Sequence, residues 1–319
     1  MATTQGERTM GIGCVYPNRG AMATPEQLVR FAQTAETLGF DTIWTSDHIV
    51  IPTTVQSPYP YHPTGQMPFV PTEPYLEPLI VLTYLAAVTQ RIRLGTSVLI
   101  LPYRNPVFTA KALASLDVLS HGRITLGVGV GWMEEEFQAL GLDTYARRGA
   151  YSDECMRIFR ALWTEETPSF QGEFHQFSGI KCEPKPVQAG GIPLWIGGHT
   201  PQAIRRAARL GNGWQPIVQR PPADLPPETL RQNIAALHEL ATARGRDPQA
   251  ITIAMGASVQ FAAANTSVFS GSTQHLVEGI RRYQEVGVQD FRFDFPTPSP
   301  EGMLEAMQRF AEEVRPHVR

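Results

Sequence analysis

Cysteine and lysine are scarce in this chain, and long apolar runs are missing. Its 319 residues include only Cys14, Cys155 and Cys182 as thiols. They are scattered, odd in number and never in Cys-x-x-Cys spacing, which argues against a zinc site or a redox pair. Three reduced thiols are the expectation, as in a cytoplasmic protein. The opening MATTQGERTM has no apolar stretch behind a basic start, so it does not read as a signal peptide. The most apolar run, LIVLTYLAAV from Leu79, is too short to span a bilayer and reads as a buried helix. Net charge is −3, so electrostatics recommend neither nucleic acid nor an anionic membrane as partner. Lysine stands only at Lys111, Lys181 and Lys185; the remaining basic residues are arginines, a bias of GC-rich coding more than of function.

What is present is ample material for a core, with 42% hydrophobic and 18% charged residues. Short apolar runs alternate with helical patterns. The candidate strands are MGIGCVY from Met10, TIWTSDH from Thr42, IRLGTSVLI from Ile92 and ITLGVGVG from Ile124, then PLWIGG from Pro193, GWQPIV from Gly213, ITIAMGASV from Ile251 and DFRFDF from Asp290. Each is nearly continuous in apolar character, as expected of strands buried on both faces. Helices fit between them. TPEQLVRFAQTAETLGF opens with Thr24 as N-cap and Pro25 at the first helical position, repeats its apolar residues at helical spacing, and stops at Gly39. Eight β-then-α units predict an α/β fold, a (β/α)8 TIM barrel, over a single domain spanning 1–319. A doubly wound open sheet is the alternative, and it rarely has eight such even units.

Two connections are long. Residues 51–78, after strand 2, are rich in proline and aromatics, with Tyr59, Tyr61, His62, Phe69 and Tyr75. A long βα loop lies at the C-terminal face of a barrel, so it reads as a lid over a substrate; a bland, partly disordered loop is the other reading. The second precedes strand 5, where FQGEFHQF alternates around Gly172 like a short hairpin inserted into the barrel.

Barrel chemistry collects at the C-terminal ends of strands. Strand 2 delivers Asp47 and His48 there, side by side before Pro52. A lone histidine near a core is more often structural, but a carboxylate and an imidazole at a strand end are costly to bury without a purpose. In GGHTPQAIRRAARLG, Gly197 and Gly198 end a strand, Thr200 is a good N-cap and Pro201 a good first helical residue. That helix start offers free N–H groups and the positive dipole end to an anion such as a phosphate. An ordinary capped helix after a tight turn accounts for the local features equally well. LGVGVGW is not a dinucleotide fingerprint, because no acidic residue ends a following strand at the required distance. A metal site is not expected, because CVYPNRG occupies the strand 1 end where barrel hydrolases carry His-x-His, and no His pair has i, i+2 or i, i+4 spacing. There is no Gly-x-Ser-x-Gly elbow.

Four phrases resemble the luciferase-like monooxygenase superfamily, in the right order: GFDTIWTSDH, RIRLGTSVLILPYRNPVFTAK, SLDVLSHGRITLGVGVGWMEEEFQALG and GGIPLWIGGHTPQAIRRAARLGNGW. The resemblance covers nearly the whole chain. It implies a barrel with an insertion before strand 5 and either of two coenzymes, the deazaflavin F-420 (an 8-hydroxy-5-deazaflavin) or reduced flavin mononucleotide (FMN). By similarity to deazaflavin members, Asp47 would contact the coenzyme and His48 would be the acid/base. A strand 3 bulge with a non-proline cis peptide would fall at Ser97-Val98 under the ring, with Thr96 beside it. Gly197, Gly198, His199 and Thr200 would hold the coenzyme phosphate, and Glu135 and Glu136 would line the ring pocket or anchor its loop. Deazaflavin sugar-phosphate dehydrogenases carry a tryptophan shortly after Asp-His and a glutamate directly after the Gly-rich run. This chain has Pro52 and Trp132 there, which departs from sugar-phosphate oxidation.

The expectation is therefore an oxidoreductase moving a hydride between F-420 and a small organic substrate. An FMN-dependent two-component monooxygenase and a flavin-binding protein without turnover are the alternatives. A homodimer is expected from the resemblance.

Overall fold

The computed structural model describes residues 10–67, 70–217 and 224–318. Eight parallel strands close into a barrel. They are β1 (Gly11–Val15), β2 (Thr42–Thr45), β3 (Arg93–Ile100), β4 (Ile124–Gly129), β5 (Leu194–Gly197), β6 (Gly213–Gln215), β7 (Thr252–Ser258) and β8 (Asp290–Asp294). Each pairs with its sequence neighbours, and β8 closes on β1 through Gly11 opposite Asp290. All eight expected strands are present. The ladder of β6 is shorter than the sequence pattern, with Pro216 breaking it before a lone bridge from Ile217 to Gly256; Val218 lies outside the described residues.

The helices between the strands are α1 (Pro25–Thr37), α2 (Pro78–Val88), α3 (Pro106–Leu119), α4 (Glu134–Ala139), α5 (Arg148–Thr164), α6 (Pro201–Leu210), α7 (Pro227–Thr242), α8 (Thr273–Glu285) and α9 (Pro300–Arg309). Their starts follow the local chemistry. Thr24 accepts from Gln27 N, Asn105 from Val107 N and Phe108 N, and Thr200 from Ala203 N, each ahead of a proline at the first turn. The exceptions are α5 and α7, which start without a capping side chain, and α4, a six-residue helix that also lacks one and that the apolar pattern did not signal. The inserted hairpin pairs Phe170–Gln171 with Gln176–Phe177. Glu154 of α5 clamps it, accepting from Glu173 N, Phe174 N and His175 Nδ1.

Residues such as Ile12, Ile43, Leu126 and Phe291 face the helices and are fully buried, each stabilising the fold by roughly 1.5–3 kcal/mol. The barrel interior is filled differently. Trp44 and Trp195 meet there with ring centroids 5.3 Å apart. A Cβ on Gly13 or Gly95 would fall 2.5 Å from Trp44 ring atoms, so only glycine leaves room for that indole. The plugged lower barrel leaves open space at the C-terminal ends of the strands. No helix among the described residues is long and apolar enough to cross a membrane.

Candidate active site

A cavity of about 850 Å3 opens at that end. Asp47 and His48 form part of its wall. Both are buried, at 3% and 8% exposure, so their polar atoms need partners from the protein or a ligand. For Asp47 the protein supplies three: Ile100 N (2.8 Å) and Arg104 Nη1 (2.7 Å) donate to Oδ2, and Arg104 Nη2 (2.8 Å) donates to Oδ1. Arg104 also reaches Glu77 at the start of α2 (2.6 Å). Burial works against its charge, but the carboxylates of Asp47 and Glu77 outweigh burial and hold the guanidinium well above its ordinary range. Asp47 therefore ties the ends of β2 and β3 together.

His48 is held by Glu136, a fully buried residue of α4. Its Nδ1 lies 2.6 Å from Glu136 Oε2. A carboxylate only accepts, so this contact places the ring proton on Nδ1. Glu136 also accepts from Ile49 N (2.7 Å), Val50 N (3.3 Å) and the Tyr103 hydroxyl (2.9 Å). Burial, and then the Glu136 carboxylate, push the Tyr103 phenol far above its usual value, so it stays a donor. The imidazole packs edge-on to Tyr75 and Trp132, at 5.6 and 6.3 Å between centroids.

The 51–78 segment lies against the same cavity. Tyr59, Tyr61 and Tyr75 line it, and Tyr59 packs on Tyr61 and Trp132 at 5.5 and 5.2 Å. Burial pushes the Tyr59 phenol up to about 12. Phe69 lies outside the described residues. Glu135 fastens the segment, accepting from Gln56 N (2.7 Å) and Ser57 N (3.0 Å), while Ser57 Oγ accepts from Glu134 N (3.1 Å) in return. The loop thus caps α4, whose own Met133 has no capping side chain.

The Ser97–Val98 peptide is cis, and the pairing of β3 with β4 shifts register between Thr96 and Leu99. Ser97 and Val98 line the cavity, as do Gly197, Gly198 and Thr200 from the β5–α6 turn. Gly198 has φ +89°, a conformation that favours glycine. Arg148 and Arg206 line the same end. Glu136 and three other residues named from the sequence stand outside the lining. Thr96 Oγ1 donates to Gly127 O across the ladder (2.7 Å), Glu135 is turned to the loop backbone, and His199 is partly buried with burial lowering its pKa.

Arg104, Tyr103, Gln215, Arg292 and Asp294 were not singled out from the sequence. For the last two a signal existed: DFRFDF alternates charged and aromatic residues, which puts Asp290, Arg292 and Asp294 on one face of β8. That face is the barrel interior, where Arg292 Nη1 donates to Ser97 Oγ and Asp294 accepts from Ser258 (2.7 Å). Burial raises the Asp294 carboxyl and lowers the Arg292 guanidinium.

The family model for luciferase-like monooxygenases matches residues 9–268. The chain belongs to that family. A Mycobacterium tuberculosis H37Rv protein of uncharacterized role is 32% identical over 298 residues, covering 90% of this chain and 93% of its own. An F420-dependent glucose-6-phosphate dehydrogenase of Kineococcus radiotolerans is 33% identical over 233 residues, covering 72% and 63%. Among solved structures, a Streptomyces bottropensis monooxygenase superposes with a TM-score of 0.77 at 23% identity, over 97% of this chain and 100% of the other. An F420-dependent secondary alcohol dehydrogenase bound to an F420–acetone adduct superposes at 0.76 and 19% identity, over 98% and 99%. The barrel is thus a fold shared with these solved enzymes.

Proposed function

We propose that the protein is an oxidoreductase that binds coenzyme F-420 in the cavity and transfers a hydride between the coenzyme and a small organic substrate. The observation that carries this reading is His48, buried at the cavity wall with its Nδ1 fixed on Glu136. Family membership and an F420-dependent relative at 33% identity support the choice of coenzyme.

The residues present fit such a group. The cavity is of the size that takes a drug-sized ligand. Val98 sits between Gly129 and Gly197, where a Cβ would fall 2.4 and 2.7 Å from its methyl groups, so the bulge offers a fixed apolar surface to a planar ring. The α6 start, with Arg148 and Arg206 at the same end, suits the coenzyme phosphate. Thr96, Glu135, Glu136 and His199 then act from behind this wall rather than by contact. When bound, the coenzyme supplies the hydride chemistry. The protein supplies position, exclusion of water by the Tyr59, Tyr61 and Tyr75 segment, and a proton relay. With Nδ1–H committed to Glu136, His48 gives or takes the coupled proton at Nε2. Asp47, by fixing Ile100 N and Arg104, holds the β3 bulge under the ring and positions its neighbour His48.

A second reading keeps the site and changes the coenzyme, since the family description names monooxygenases. Reduced FMN would then be the ligand and oxygen the co-substrate. Parallel titrations of the protein with F-420 and FMN, followed by ring fluorescence, separate the two. Micromolar or tighter binding of F-420 alone supports the first reading. Preference for FMN, with oxygen uptake, supports the second. Binding of neither overturns both, and a bound coenzyme that no substrate reoxidises points to a binding protein.

A further inference from the structure

The floor of the cavity holds polar atoms that the rest of the described protein leaves without partners. Gln215, the last residue of β6, is 1% exposed and lines the cavity. Neither its Nε2 nor its Oε1 has a hydrogen-bond partner. Arg292 lines the same cavity at 8% exposure, and its Nε is likewise without a partner. A buried polar group left unmatched costs roughly 1–3 kcal/mol, so such groups in a cavity wall ask for something to bind them.

The position of the carboxamide says what part of a ligand it meets. A Cβ on Gly127 would lie 2.7 Å from Gln215 Oε1 and 2.1 Å from Thr96 O, so the carboxamide reaches past β5 to β4, beside the start of the β3 bulge. The Gln215 backbone carbonyl accepts from Gly198 N (3.3 Å). The side chain therefore stands between Ser97–Val98 and the β5–α6 turn, the two features that bracket the proposed ring and phosphate positions. A carboxamide shows a donor and an acceptor side by side. Its complement is a carbonyl beside an N–H, which is the edge of a cyclic imide. Two parallel bonds of this kind are how glutamine and asparagine read a nucleobase edge.

We infer that Gln215 is a recognition residue for the imide edge of a pyrimidinedione ring, with Nε2–H donating to a ring carbonyl and Oε1 accepting from the ring N–H. Arg292 Nε is a further donor to an imide carbonyl. The inference rests on the reading that a deazaflavin or flavin binds here, and both rings carry this edge, so it does not depend on which one.

The test is binding, not turnover. Wild-type protein, Gln215→Leu and Gln215→Met are titrated with F-420, FMN and the N3-methyl derivative of each ring, which lacks the imide N–H. For the ring that binds, wild type should prefer the parent over its N3-methyl derivative by at least about tenfold, on the order of 1.4 kcal/mol. Gln215→Leu should bind the parent about tenfold more weakly and lose that preference. A purely structural role would weaken both ligands alike and keep the preference. Gln215→Met, close in length but with neither the amide donor nor the acceptor, carries the same comparison if the leucine variant does not fold. Wild-type binding with no preference, or a preference that survives both substitutions, overturns the inference and leaves the proposed function standing; water then satisfies the carboxamide. Failure of wild type to bind either ring overturns both.

Discussion

On the β2–β3 side of the cavity Asp47 accepts three hydrogen bonds and Glu136 four, all from the protein. On the β6–β8 side the carboxamide of Gln215 and the Nε of Arg292 have none. The two sides are equally buried and differ in what satisfies them. A network completed by the protein fixes geometry before any ligand arrives, which suits a group that must meet a reacting atom in one orientation. A floor left incomplete carries a desolvation cost until something binds, which suits recognition. The contrast assigns His48, at the end of the completed network, to chemistry, and Gln215 to holding a ligand.

The sharpest way to break that division is His48→Ala. Loss of a positioned acid/base should lower turnover by roughly 10²–10⁴-fold, with coenzyme affinity changed only a few-fold. Unchanged turnover with a substrate that reoxidises the coenzyme would remove His48 from the chemistry. Stability then separates the two sides by sign. Asp47→Ala leaves Ile100 N without its acceptor and Arg104, 11% exposed, with Glu77 as its remaining carboxylate, and should cost roughly 2–3 kcal/mol in urea unfolding. Gln215→Leu removes polar atoms that have no partner, so the coenzyme-free protein should be unchanged or up to about 1 kcal/mol more stable. A loss of stability at Gln215 matching that at Asp47 would mean that the floor is a structural network too.

The barrel was legible because its signal is local. Eight apolar runs and their helix caps lie within windows of a few residues, and the caps at Thr24 and Thr200 were readable one by one. The site was legible in part. Asp47 and His48 stood out as polar residues closing an apolar strand, and the cis Ser97–Val98 bond was expected only from the family likeness. What stayed hidden depends on contacts across long separations. Arg104 is 57 residues from Asp47, and Glu136 is 88 from His48. Among three successive glutamates, 134 to 136, no periodicity says which one turns inward, and a six-residue helix is too short to show one. Gln215 was hidden for another reason: an unpartnered carboxamide can be recognised only when its surroundings are known.

The smallest effect expected lies between the two sides, where Glu135 fastens the aromatic loop. Burial alone would raise this carboxyl, but backbone N–H groups, its own and those of Gln56 and Ser57, pull it below the ordinary carboxylate value. A pKa depressed in the folded state contributes stability that is fully present above the unfolded value and lost as pH falls through the folded one. The group is partly exposed, so solvent screening keeps the contribution to roughly 1 kcal/mol or less. Hydrogen exchange at the Gln56 and Ser57 amides, corrected for intrinsic rates, should show steady protection from neutral pH down to about pH 5. Protection should then fall as pH passes below the ordinary glutamate range near ~4.3. Glu135→Gln should lower protection at neutral pH by a few-fold and flatten its pH dependence, with His48 still held by Glu136. Equal protection in that variant would mean that the loop is held by its tyrosines packing on one another and on Trp132, and that the clamp between Glu135 and residues 56–57 does not govern access to the cavity.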